Sequence, residues 1–195
     1  VGLYGESTAT NYTTSNSGNI TVGQNGIGMF GYASDVTGGT ITVGDKGVGI
    51  YSTEGNVTLN AGSKVRVGAN EGVGVFTTGT AGRTINSNTD MTIGDSSFGY
   101  VIKNTGTTAL TTNGTVTLGN EAKYIYSNNS DITVNNNVAL TSTGNNTYGI
   151  YSPGTVVNNA NIDFGRGTGS VAIYTINGGN ATNNAVISVS GSNLT

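Results

Sequence analysis

Residues 48–59 read VGIYSTEGNVTL, and the opening phrase of that stretch, Val48-Gly49-Ile50-Tyr51, keeps returning along the chain. Residues 27–30 read IGMF, residues 73–76 VGVF and residues 148–151 YGIY. Cutting the chain ahead of each copy gives eight segments that open at Val1, Ile27, Val48, Val73, Phe98, Lys123, Tyr148 and Val171, with starts 21 to 26 residues apart. Their first four residues are VGLY, IGMF, VGIY, VGVF, FGYV, KYIY, YGIY and VAIY. Most segments close on a strictly alternating stretch: NITVG, TITVG, KVRVG, DMTIG and TVTLG, then the variants NVALT, NIDFG and VISVS. Between the two lies a third β-prone piece such as GNVTL, RTINS, TALTT, DITVN or TVVNN. Self-similarity at a fixed period of this length is the signature of a repeat architecture.

The period is too short for a propeller blade, and no helical spacing of apolar residues runs through it. Three short strands in about 25 residues, separated by Gly, Asn and Asp turns, fit one coil of a parallel β-helix. Residues 1–195 are therefore expected to form one β-helix segment of eight coils with three strands each. At an inter-strand rise of roughly 4.8 Å, eight coils make a rod of about 38 Å. Strict alternation sends Ile20/Val22, Ile41/Val43, Val65/Val67, Met91/Ile93 and Val116/Leu118 of the closing strand inward. Thr21, Thr42, Arg66, Thr92 and Thr117 then face water. Applied to the opening strand, the same rule buries Val48/Ile50, Val73/Val75 and Tyr148/Ile150 and puts Gly49, Gly74 and Gly149 outside beside Tyr51, Phe76 and Tyr151.

Composition agrees. Glycine, threonine and asparagine make up nearly half the chain, which disfavours helix and suits strands and turns. The β-branched and aromatic content argues against disorder. Charged residues are 9% and the net charge is −3, so nothing points to an electrostatic grip on nucleic acid. No apolar run reaches the length of about 18 residues that marks a membrane-spanning helix, and no signal segment opens the chain. The sequence starts and stops in mid-pattern, as a fragment of a longer protein would. Cysteine and histidine are both absent. That removes thiolate and Ser-His chemistry and the usual zinc ligands, and no cofactor is expected.

Candidate sites are few. The column Tyr4, Phe30, Tyr51, Phe76, Tyr126, Tyr151 and Tyr174 reads either as a sugar-stacking ladder or as aromatics covering the glycines of the same face. The phrase itself breaks at FGYV and KYIY, where Lys123 takes a normally apolar place. Phe98, Tyr100, Tyr124 and Tyr126 then come close together, either through a local register adjustment or as an exposed aromatic patch, the leading candidate for ligand binding. Asp45, Glu71, Asp95 and Glu121 fall at matching places in the turns, an acidic ladder that would be solvated unless it held calcium. Lys64, Arg66 and Arg83 form a small outward basic cluster. Asn-X-Ser/Thr triplets, among them those at Asn11, Asn19 and Asn113, are about as frequent as composition alone gives. Asn86, Asn113, Asn135, Asn158 and Asn183 are read as turn residues that suit side-chain-to-backbone bonding repeated from coil to coil. The outward column Thr21, Thr42, Arg66, Thr92, Thr117, Ala139, Asp163 and Ser188 is too interrupted for an ice-binding lattice. The ten acids are spread along the chain, and neither Asp90 nor Asp131 builds an obvious acid–base pair. A catalytic role is not expected, with a β-helical polysaccharide lyase or hydrolase as the alternative.

The repeats VGIY…NVTLN…SKVRVGANEGVGVF and TYGIYSPGTVVNNANIDFG resemble the passenger region of large Gram-negative autotransporter adhesins, in particular those of fusobacteria. The resemblance covers essentially the whole chain. It implies a right-handed parallel β-helix on the bacterial cell surface, anchored through an outer-membrane β-barrel elsewhere in the full protein. It also implies a rigid stalk that presents or contributes to adhesion. The expected partner is a receptor or glycan on host cells or other bacteria, with no nucleic acid and no membrane contact by this segment. Lack of cysteine fits secretion through a pore. The family supplies no short binding motif to place on particular residues.

Overall fold

The computed structural model describes residues 1–6 and 12–189. The Asn11 triplet lies outside them. Every regular element among the described residues is a β-strand, and the strands fall into three sheets of eight, each paired in parallel from coil to coil. The chain is a parallel β-helix. The coil that opens at Val48 shows the plan: strands Val48–Ser52, Val57–Leu59 and Lys64–Val67 go one to each sheet. In the first sheet, strands begin at Ile27, Val48, Val73, Phe98, Lys123, Tyr148 and Val171, where the repeated phrases begin.

Successive coils are joined by backbone bonds that run along the stacking direction. Val48 N–H donates to the Gly26 carbonyl (2.8 Å), Val73 to Gly47 (2.9 Å), Phe98 to Gly72 (2.8 Å) and Lys123 to Ser97 (2.9 Å). Identical positions therefore stack, and most of the interior is a set of in-register apolar columns. In the third sheet, Ile41, Val65, Met91, Val116, Leu140 and Ile162 form one column, and Val43, Val67, Ile93 and Leu118 lie in the next. The intervening Thr42, Arg66, Thr92 and Thr117 are exposed, as alternation requires. Burying such side chains contributes roughly 0.8 kcal/mol per CH₂.

The opening strand departs from strict alternation. Val48, Val73 and Tyr148 are half-buried on the outside, whereas Gly49, Gly74 and Gly149 are buried together with Ile50, Val75 and Ile150. A Cβ on Gly49 would lie 3.0 Å from Val43 Cγ2, 3.3 Å from Ile41 Cγ2 and 2.7 Å from the Gly74 carbonyl oxygen of the next coil. The glycine thus faces the core, and two successive residues point inward before alternation resumes. Pairing registers as Val48 with Val73 and then Ile50 with Val75. Positions one and four of the phrase are consequently both outward, which makes two parallel surface columns instead of one.

Polar side chains also stack. One interior column of the second sheet changes from Val36 and Leu59 to Ser87, Thr112, Asn136 and Asn158. Asn136 Nδ2 donates to Asn158 Oδ1 (2.7 Å) and to the Val138 carbonyl (2.9 Å); Asn158 repeats the arrangement toward Asn183 (2.7 Å) and Ala160 (2.8 Å). Asn113 joins a second, surface ladder by donating to Asn88 Oδ1 (2.9 Å). Asn86 and Asn135 sit on outward strand positions instead of in turns. Buried amides are tolerated because each coil supplies the partner of the next.

Candidate functional site

The break in the phrase divides by which side each residue faces. Phe98 and Tyr126 are half-buried at the surface, but Tyr100 and Tyr124 lie in the core at 0% and 1% exposure. The expected patch of four exposed aromatics is therefore corrected: two of them are out of a ligand's reach. Tyr100 holds the third position of the phrase, which alternation also sends inward, and Tyr124 is inward because of the slip at the glycine position. Tyr100 takes the inward place held by Ile50 and Ile125, and Tyr124 takes the inward place held by glycine in six of the other coils and by Ala172 in the last. Room for the two rings comes from the second sheet, whose inward column shrinks from Val36 and Leu59 to Ser87 and Thr112, the residues their hydroxyls reach. One coil on, glycine returns as Gly149, where a Cβ would lie 3.3 Å from Leu140 Cδ1. The Tyr100 and Tyr124 rings meet edge to face at 5.5 Å, and Tyr100 Oη donates to Ser87 Oγ (2.6 Å). Burial pushes both phenols well above the ordinary tyrosine range, so they remain neutral hydrogen-bonding groups.

Outside, position four forms a ring stack. Tyr4–Phe30, Phe30–Tyr51 and Tyr51–Phe76 have centroids 5.2, 5.2 and 5.0 Å apart; Tyr126–Tyr151 and Tyr151–Tyr174 are 5.0 and 5.4 Å apart at 18° between planes. The rings cover one another, not the glycines, which face the interior. The stack is interrupted once, at Val101, which pairs between Phe76 and Tyr126. Two lysines sit at the interruption. Lys123 Nζ lies 5.1 Å from the Phe98 ring centre and 5.8 Å from that of Tyr148; Lys103 Nζ lies 6.0 Å from Phe76. Beyond it, the two outward columns bound a groove of ≈ 590 Å³ lined by Lys123, Tyr126, Tyr148, Tyr151, Val171, Tyr174 and Ile176. Tyr148, Tyr151 and Tyr174 thus belong to the site with Tyr126, and Phe98 stands at its head. Taking positions one and four together as outward would have revealed this in the sequence.

A second cleft, of ≈ 570 Å³, opens on the second sheet among Tyr12, Tyr32, Asp35, Glu54, Asn56 and Asn60. Its carboxylates are engaged: Asp35 Oδ1 accepts from Asn60 Nδ2 (2.8 Å), and Glu54 Oε2 accepts from the Thr80 and Ala81 N–H groups (2.9 and 2.8 Å). Neither residue stands out in the sequence, because the residues of the cleft come from four different coils.

Compared with known proteins, the chain matches no protein-family model, no curated protein and no solved structure.

The remaining charged candidates resolve into structural roles. Asp45 and Asp95 stack in the turn with Asn70 and Asn120, while Glu71 and Glu121 occupy the next position beside Lys46 and Ser96. Asn70 Nδ2 donates to Asp45 Oδ2 (2.9 Å), Ser96 Oγ to Glu121 Oε2 (2.8 Å), and Lys46 Nζ lies 3.9 Å from Glu71 Oε2. Acids alternate with amides, a hydroxyl and a lysine, so the expected acidic ladder separates into two mixed columns. No cluster of three metal-ligating residues occurs among the described residues. The basic cluster does not form either. Lys64 and Arg66 are exposed on the third sheet, whereas Arg83 is 5% exposed on the second, its guanidinium donating to the carbonyls of Ser52, Thr53 and Thr78. Burial lowers the Arg83 pKa, with Glu54 acting in the opposite sense. Asp90 and Asp131 accept from the hydroxyls of Thr115 (2.8 Å) and Thr107 (2.5 Å) in neighbouring coils, and neither is paired with another acid. In the outward threonine column the sixth member is Thr141, not Ala139, because Thr117 pairs with Thr141.

Proposed function

We propose that this chain is a rigid structural and adhesive segment of a bacterial cell-surface autotransporter passenger. On this reading it holds adhesive parts away from the cell and adds contacts of its own with receptors or glycans on host cells or other bacteria. The observation that carries the reading is the continuity of the three sheets. Every described coil hands its strands to the next in register, with short turns between, and a rod results whose length is set by coil number. The repeat style of the sequence supplies the bacterial surface setting, with a membrane barrel elsewhere in the full protein. Deleting residues 73–122, two whole coils, from the surface-displayed protein tests the reading. The remaining rod should fold, shorten by about 10 Å in small-angle scattering, and adhere less well. Full adhesion by the shortened, folded protein, or resistance of the segment to protease added to intact cells, would sink it.

The second cleft supports one other reading, a polysaccharide-cleaving site using Asp35 and Glu54 beside Tyr12 and Tyr32. Release of reducing ends from a polysaccharide panel, lost in Glu54→Gln, would favour it over the stalk.

A further inference from the structure

We propose that the outer face of the first sheet, from Lys103 past Lys123 to Tyr174, binds an acidic polysaccharide. Sugar carboxylates meet the two lysines, and the pyranose units lie along the tyrosine-lined groove. The inference deepens the surface-contact part of the preceding reading and rests on it.

Three observations converge. The first is shape. Because positions one and four of the phrase both face outward, the columns containing Lys123 and Tyr148 on one side and Tyr126, Tyr151 and Tyr174 on the other enclose a groove running along the stacking direction. Its tyrosines recur every 5.0 to 5.4 Å, a step comparable to the length of one sugar unit.

The second is charge. Among the described residues the one ion pair is Lys46–Glu71, so Lys103 and Lys123 each stand without a carboxylate partner. Lys123 is held over the Phe98 and Tyr148 rings, and its ammonium donates to the Glu121 backbone carbonyl (3.3 Å), while the Glu121 carboxylate is turned to Ser96. A cation fixed by aromatic faces at the head of a groove is a ready counter-charge for an anionic group. On a chain of net charge −3 this is a local positive feature.

The third is what the walls can recognise. Phenol hydroxyls both donate and accept, as sugar hydroxyls do, and the rings offer apolar flanks to pyranose C–H groups. An extended peptide would need a free strand edge, yet the strands under the groove at Lys123–Ser127 and Tyr148–Ser152 are paired on both sides. Two lysines are too few to track a nucleic-acid backbone.

Titration calorimetry on the isolated chain tests the proposal, with polygalacturonate as the acidic probe and dextran, poly-glutamate and single-stranded DNA as comparators. Polygalacturonate should bind and dextran should bind more weakly. Binding should fall by about tenfold or more in Lys123→Gln, and likewise in Tyr174→Ser, an exposed site whose loss should leave the β-type circular dichroism unchanged. Binding of poly-glutamate or DNA as tight as that of polygalacturonate would overturn the sugar assignment, as would no binding or equal binding by Lys123→Gln. Should the segment prove not to be surface-exposed on cells while the purified chain still binds polygalacturonate, the stalk reading falls and the groove assignment stands. No binding by a chain that does reach the surface would remove the groove assignment and leave the stalk reading in place.

Discussion

The coils that open at Val48 and Val73 and those that open at Phe98 and Lys123 build the same three-strand turn from different side chains. In the first pair a glycine faces Ile41 and Val43 or Val65 and Val67, and the core is filled from the third sheet. In the second pair two tyrosines enter from the first sheet, and the second sheet gives way at Ser87 and Thr112. What the coil conserves is the interior cross-section, and volume can be moved between facing sheets as long as the sum holds. The outer face is under no such constraint. Irregularity there shows as an interrupted ring stack with two lysines, and that is where a binding groove can arise without harm to the fold.

The contrast breaks most visibly if charge enters a regular coil. Ile50→Asp should lose about 4 kcal/mol or more, since an unpaired carboxylate replaces a fully buried side chain between two neighbouring coils. Thr42→Asp on the exposed face should stay within about 0.5 kcal/mol. Equal denaturation midpoints for the two variants would contradict the inward and outward assignments. The irregular coils are probed by volume. Tyr124→Gly should cost about 3–5 kcal/mol through the cavity it leaves. Combining it with Tyr100→Ala should lose less than the sum of the two single losses, because the rings pack edge to face at 5.5 Å, a coupling that a double-mutant cycle reads directly. Additive losses would mean that the two positions do not share space.

Alkali separates the regions more gently. Tyr100 and Tyr124 have folded pKa values raised above the unfolded value near 10. Above pH 10 the unfolded chain loses phenol protons that the folded one keeps, so the unfolded state binds fewer protons and stability falls as pH rises. Each tyrosine contributes a slope of about 1.4 kcal/mol per pH unit there. The stabilisation is fully present below pH 10. Tyr100→Phe should reduce the slope of the midpoint against pH, and an unchanged slope would place the titration elsewhere. The smallest effect is expected in the turns. Glu71 has φ +63°, so Glu71→Gly should stabilise by about 0.5 kcal/mol, less whatever the Lys46 contact supplied. Thermal melts resolve a change of that size.

Much of this architecture is legible in the chain because its repeats punctuate themselves. The closing strands alternate and end in glycine, so alternation alone assigns their inward and outward residues correctly from Ile41 to Leu118. Where that final glycine is missing, at Leu140–Ser142, alternation sets the register two residues early and puts Ala139 in the place of Thr141. The opening strand misleads for a physical reason. Two successive inward residues leave no trace in the letters VGIY, and glycine carries no side chain to announce its side. That one slip hides the burial of Tyr124 and the second outward column, and with it Tyr148 and the groove, whereas Tyr100 stands at the third position, which alternation itself buries. The cleft at Asp35 and Glu54 is hidden differently, since its walls are assembled from residues about 20 or more apart in the chain.

The backbone bonds between coils have a mechanical consequence. They lie along the stacking direction, with the strands crosswise, so a pull between the two ends loads the pairs of one coil boundary together and then those of the next. Rupture should proceed coil by coil from an end. Each coil of about 25 residues releases roughly 80 Å of chain in exchange for about 4.8 Å of rod. A tethered molecule of this kind would yield under flow by lengthening in steps, dissipating force at a boundary while the remaining coils stay folded.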